Sequence, residues 1–298
     1  MPKRQKRSGK RFLAGFSVLA AALVAAPATA KAPVIEVGGP YGLAAPSCDG
    51  TPANDRAKPN GLGRCSVLTR TTVYPLVDHG VANPTTVPKD SKLVAFTIRL
   101  GTVKDTKTCT SYAYKTVRGK RTRYCKKYDT FNEKTYFDRT FGKGSRVRIA
   151  VLRPVPRPKK SKAMALRKTV AVGPEMLLDK WFGKTVTFPL DAPIDVKKGD
   201  IIGLSVPTYA PILPFQVSDT GDRWRASRPP SGFKPVDPQS GQVVTVDPDT
   251  KKRPDSCATK WGVIFSQTAI TKSGKTVDFR CRYPGAPTFQ FTLIPLPA

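Results

Sequence analysis

The chain has 298 residues, with 51 Lys or Arg against 21 Asp or Glu, a formal net charge of +30 and one histidine. Apolar residues make up 39 %, which is enough for a buried core and excludes a simple disordered polycation. A lone histidine leaves room for at most one imidazole-dependent site, and no G-x-S-x-G, G-x-x-x-x-G-K-[ST] or H-E-x-x-H is present, which excludes those hydrolase, P-loop and zincin signatures.

The N-terminal stretch "MPKRQKRSGKRFLAGFSVLAAALVAAPATAK" places six basic residues before an apolar run from Phe12 to Ala26, followed by Ala28-Thr29-Ala30. That order is the grammar of a secretory signal peptide. The run is short of the roughly 20 residues needed to span a bilayer. Lys10-Arg11 leads directly into Phe12-Leu13, unlike a twin-arginine signal. The expectation is a signal peptide over residues 1–30. Residues 31–298 are expected to form one disulfide-stapled β-sandwich domain with an extended N-terminal segment, secreted or held at the cell envelope, with no span after cleavage.

Six cysteines, Cys48, Cys65, Cys109, Cys125, Cys257 and Cys281, fall as three local couples. An even count in an exported chain reads as disulfides, and short loops close at the least entropic cost. The spacing favours Cys48–Cys65, Cys109–Cys125 and Cys257–Cys281 among fifteen possible connectivities. Zinc is not expected, because no C-x-x-C occurs and the only histidine is His79, and no metal site is expected.

Strand signals then recur along the chain. "KLVAFTIRLGTV" (92–103) alternates, with Leu93, Ala95 and Thr97 on one side and Val94, Phe96 and Ile98 on the other. In "SRVRIAVLRPV" (145–155), Val147, Ile149 and Val151 share a face. "GPEMLLDKWFG" predicts a short helix, with Pro174 at its first position, Glu175 in the first turn and Gly183 beyond its end. "KTVTFPL" (184–190), "DIIGLSVP" (200–207), "WGVIFS" (261–266) and "PTFQFTLIPL" (287–296) continue the strand series, the last with Phe289, Phe291 and Leu293 on one face. The 29 prolines and 23 glycines suit many turns. The fold class expected is all-β: a jelly-roll-like antiparallel β-sandwich with long loops and at most one or two short helices. "PIDVKKGDIIGLSVP" (193–207), with its Lys-Lys-Gly-Asp turn, resembles the turn-and-strand signature of secreted jelly-roll sandwiches. Residues 145–214 resemble exported bacterial β-sandwich proteins. The resemblance implies a fold and brings no activity with it.

Candidate chemistry is sparse. His79, in "PLVDHGVANP", reads as a loop histidine at the surface. Asp219 and Asp222 in "SDTGDRW", and Asp247 and Asp249 in "DPDTKKRPD", read as turn residues, with structural Ca²⁺ as the alternative. No other cofactor is expected. Trp224, framed by Arg223 and Arg225, is a candidate carbohydrate-binding platform, against a reading as core packing with Arg stems over the indole.

The basic residues are unevenly placed. Residues 101–160 hold eighteen basic and four acidic residues, a net +14. Within them, "KTVRGKRTRYCKK" (115–127) carries seven basic residues and no acidic one. Tyr112 and Tyr114 precede it, Tyr124 lies on its return, and Cys109 and Cys125 flank a turn at Arg118-Gly119-Lys120. The pattern predicts a clamped hairpin presenting Lys115, Arg118, Lys120, Arg121, Arg123, Lys126 and Lys127 to an acidic cell-surface polymer or glycan. Nucleic acid is disfavoured as the natural partner, because the chain is exported and lacks a recognised binding motif. The leading expectation is a secreted, non-enzymatic binding protein. A carbohydrate-binding module or lectin is the first alternative, and a carboxylate-dependent glycan hydrolase is the second.

Overall fold

The computed structural model describes residues 33–39, 42–48, 67–159, 165–214, 221–227, 259–260, 263–264 and 269–297. Residues 1–32, Cys65, Asp219, Asp247, Asp249 and Cys257, named above, lie outside them. Pro33–Ala298 forms one compact unit.

The architecture is all-β and antiparallel, a sandwich with curled sheets. In chain order the strands are β1 (Ile35–Val37), β2 (Leu68–Asp78), β3 (Val81–Ala82), β4 (Ser91–Arg99), β5 (Asp105–Val117) and β6 (Lys120–Asn132). Helix α1 (Glu133–Phe141) follows, then β7 (Arg146–Pro154), β8 (Leu166–Val172), β9 (Met176–Leu177) and a 3-10 turn at Asp179–Trp181. The remainder are β10 (Thr185–Val196), β11 (Ile201–Ala210), β12 (Arg223–Ala226), β13 (Thr259–Lys260), β14 (Val263–Ile264), β15 (Thr276–Asp278), β16 (Cys281–Pro284) and β17 (Phe289–Pro295). One sheet runs β1-β17-β4-β10. The other runs β15-β8-β7-β11-β2-β12-β16, with β3 on β2 and β9 on β7.

The main core lies between these two sheets. Phe96 and Ile98 of β4 and Phe289, Phe291 and Leu293 of β17 meet Val147, Ile149 and Val151 of β7, Leu204 and Val206 of β11, and Trp224 of β12. The faces expected for β7 and β17 are therefore the buried ones. In β4 the expected split fails. Leu93 shares the core with Phe96 and Ile98, because the ladders to β17 and β10 both shift register at this point. Val94 is the extra residue, and a bulge of this kind changes which side chains point inward.

The larger sheet is covered on its other face too. Ala150, Leu152 and Ile201 pack there with Tyr74, Ile270 and Phe279. The loop into β11 is self-bonded: Lys197 N–H donates to Asp200 Oδ2 at 3.0 Å. Arg153 grips both oxygens of the buried Asp200 carboxylate, at 2.8 and 2.9 Å. The Lys-Lys-Gly-Asp turn thus serves the fold.

The helix expected over 173–183 is replaced. Its first half is strand β9, paired with β7, and only Asp179–Trp181 winds as one 3-10 turn. The one α-helix among the described residues is α1, which the sequence reading did not anticipate. Asn132 caps it by accepting from Thr135 N–H at 2.6 Å. Arg70 of β2 donates to the carbonyls of Phe141 and Thr140, both at 3.2 Å, closing its C-terminus. Tyr136, Phe137 and Phe141 pack with Tyr209 and Cys48 as a second small core. No helix among the described residues is long and apolar enough to cross a membrane.

Candidate functional site

The basic stretch lies on β5 and β6, which pair with each other along thirteen residues each and with no other described strand. At about 3.3 Å per residue this is a ribbon roughly 40 Å long. Its turn is Arg118-Gly119, with φ of 49° and 74°. Two consecutive left-handed residues are what a two-residue hairpin turn needs to match strand twist, and glycine at the second supplies one without strain.

Both roots of the ribbon are fixed. β6 runs straight into α1, whose Phe137 stacks near Tyr209 at 5.2 Å. Before β5, Gly101 N–H donates to Pro211 O at 2.8 Å and Thr102 N–H donates to Cys48 O. A Cβ on Gly101 would lie 2.6 Å from atoms of Cys48, so glycine is required for this close approach. No described cysteine is free.

The register sorts the side chains into two faces. Tyr112, Tyr114 and Thr116 stand opposite Cys125, Arg123 and Arg121 on one face. Ala113, Lys115 and Val117 stand opposite Tyr124, Thr122 and Lys120 on the other. On the first face the Arg123 guanidinium lies 3.3 Å from the Tyr112 ring centroid, and that of Arg121 lies 4.4 Å from Tyr114. Each is the diagonal neighbour of its ring, so tyrosine and arginine alternate along the ribbon. On the second face Lys115 Nζ sits 5.5 Å from the Tyr124 centroid. Such exposed cation–π pairs contribute about 0.5–1 kcal/mol each. A guanidinium stacked on a ring keeps the planar N–H fork that suits an oxyanion.

All seven candidate residues, Lys115, Arg118, Lys120, Arg121, Arg123, Lys126 and Lys127, are exposed. None makes an ion pair among the described residues. No acidic residue occurs between Asp105 and Asp129, so the stretch supplies no acidic partner of its own. The alternation of tyrosines was legible in the sequence. The diagonal stacking was not, because it depends on register.

The carbohydrate candidate fails on burial. Trp224 is 1 % exposed, stacked on Tyr283 at 4.5 Å, with Nε1–H donating to Pro284 O at 3.1 Å. Its ring cannot meet a sugar. Arg223 and Arg225 donate to the backbone carbonyls of Asp222 and Phe279, at 2.6 and 3.0 Å. The three residues stabilise β12, and core packing is the reading that stands.

Asp222 is not a surface turn residue either. It is buried beside Asp78 and His79. His79 itself is exposed, as expected. The ligand atoms of Asp78, His79 and Asp222 all lie within 4.8 Å of one another.

No family model, curated protein or solved structure matches the chain. The fold and the ribbon define it as an antiparallel β-sandwich bearing a basic, tyrosine-stacked hairpin.

Proposed function

We propose that this chain is a secreted, non-enzymatic protein of the cell envelope or extracellular space that binds acidic polymers through the β5–β6 ribbon. The observation that carries the reading is a run of seven exposed Lys and Arg side chains, with no ion pair among the described residues, on a ribbon that no other described strand uses. Repulsion among them is relieved when a polyanion lies along the ribbon and its counterions are released. The Arg121–Arg123 face is the contact side, since stacked guanidiniums give up little entropy when they bind. The lysines of the other face add long-range attraction. The partner class is an acidic surface polymer, such as a teichoic acid or an anionic polysaccharide.

Export and the disulfides belong to the same reading. Intact mass should place the mature start at Lys31, and non-reduced peptide mapping should recover Cys48–Cys65, Cys109–Cys125 and Cys257–Cys281. Register sets Tyr112, not Cys109, opposite Cys125. A regular ladder would put three rungs, about 10 Å, between the two cysteines, beyond disulfide reach. Two register shifts between Cys109 and Tyr112 break that regularity, and a cross-link there would draw the strands into such a bulge.

The test is elution from immobilised heparin and from teichoic acid. Changing Arg118, Lys120, Arg121 and Arg123 together to Ser should lower the eluting salt on both. Elution of the variant at the parent's salt would reduce the ribbon to a solvated hairpin.

A further inference from the structure

The β2–β3 turn gathers three side chains that neither the ribbon nor the main core uses. Asp78 ends β2, His79 follows it, and Asp222 precedes β12, 143 positions beyond His79. Each offers one ligand atom, and these atoms lie within 4.8 Å of one another. His79 Nδ1 is 2.6 Å from Asp78 Oδ1, and the His79 backbone N–H donates to Asp222 Oδ1 at 2.7 Å. The Asp78 side chain is only 6 % exposed, while the imidazole is 44 % exposed. Asp222 is buried as well. Two carboxyls buried side by side carry a desolvation cost that a bound cation would lower.

We propose that Asp78, His79 and Asp222 form a binding site for a divalent first-row transition ion. One imidazole and two carboxylates match zinc and its neighbours. They do not match calcium, which takes six to eight oxygens. The ion takes the place of the proton shared between His79 Nδ1 and Asp78 Oδ1, which leaves to solvent. Tetrahedral bonds of about 2.0–2.2 Å set ligand atoms about 3.3–3.6 Å apart, so the His79–Asp78 pair, at 2.6 Å, opens and the wider pairs, within 4.8 Å, close by up to about 1.4 Å through side-chain rotation. The exposed imidazole side leaves a position for water. His79 and Gly80, at φ 49° and 80°, make the left-handed pair of a tight hairpin turn, which sets the imidazole beside the preceding carboxylate. The bound ion would pin this turn to β12.

The chain's single histidine makes the test clean. Tag-free full-length protein is titrated with Zn²⁺, followed by calorimetry and by the imidazole ¹⁵N–¹H signals. The expected result is one ion per chain, a shift of the His79 ring nitrogens and a higher Tm. Calcium and magnesium at equal concentration should leave the signals in place. His79→Asn suits the left-handed backbone and should lower zinc affinity at least tenfold with little change in metal-free Tm. Asp222→Asn should weaken zinc similarly; if it fails to fold, His79→Asn, which keeps both carboxyls, decides. Unmoved His79 resonances at saturating zinc would overturn the site. So would equal zinc affinity in His79→Asn. Polyanion binding by the ribbon should be unchanged throughout, so the two proposals fail separately.

Discussion

Two charge-matched double variants separate a defined binding face from simple net charge. Arg121→Ser with Arg123→Ser removes the stacked guanidiniums from one face of the ribbon. Lys115→Ser with Lys120→Ser removes two charges from the other face. Each phosphate-like contact contributes about 0.9 to the slope of log affinity against log salt for a DNA-like polymer. Over a fourfold rise in salt, one contact therefore costs about 3.5-fold in affinity, and two cost about twelvefold. The arginine double variant should lose a slope of about 1.8 and bind severalfold more weakly at low salt. The lysine double variant should change the slope by less than about half a unit, since its side chains supply field without contact. Arg121→Lys with Arg123→Lys keeps the charge and removes the planar fork, and should still bind severalfold more weakly. Both Ser variants are exposed, so global stability should move by no more than about 0.5 kcal/mol. Fluorescence titration with heparin and with teichoic acid at several salt concentrations reads all three variants. Equal slopes for the two Ser variants would refute a contact face and leave only net charge.

Three further outcomes follow from the packing. Gly203→Ala should destabilise the protein by about 1–3 kcal/mol in denaturant unfolding, because a Cβ there would lie 2.6 Å from the Val73 carbonyl oxygen. Trp224→Ala should cost about 3–5 kcal/mol and leave polymer affinity at the native temperature unchanged, which a glycan array and thermal melts would check together. Asp138 is pushed up by burial, but donation from Lys134, Gly144 N–H and Tyr209 OH overcomes this and holds it below its ordinary value. Its contribution is therefore present above the unfolded-state pKa and lost as pH falls through the lower folded one. Asp138→Asn should flatten the loss of stability below about pH 4, by about 1 kcal/mol, in acid titrations of denaturant midpoint.

What the sequence made legible was periodicity. Val147, Ile149 and Val151, and Phe289, Phe291 and Leu293, alternate cleanly and are buried as alternation requires. β2 was missed although it is central, because "LTRTTVYPLVD" is rich in threonine and carries Arg70 and Pro75. Its buried Thr72 is held by hydroxyls from other segments: Thr72 Oγ1 donates to Ser205 Oγ at 3.0 Å, and Ser227 Oγ accepts from Thr72 N–H at 3.1 Å. Composition does not reveal such pairing. Helix α1 did leave a trace, in Asn132 as cap and Gly142 at the end, but it follows directly on the basic stretch and is only nine residues long. The ribbon was legible from its turn and charges. The Asp78, His79 and Asp222 cluster was not, because 143 positions separate its parts.

The most direct test is excision of the ribbon's outer part. Replacing residues 109–128 with Asn-Gly joins the strands across the Thr108–Asp129 pair, removes all seven basic candidates, and takes Cys109 and Cys125 out together. No other described strand pairs with the excised segment, so Tm should shift by no more than about 2–4 °C, the equivalent of roughly 1 kcal/mol. Affinity for heparin and teichoic acid at about 50 mM salt should fall at least a hundredfold, and the salt slope should drop by several units, at about 0.9 for each lost contact. A folded excision variant that binds with the parent's affinity and salt slope would contradict the assignment of binding to the ribbon.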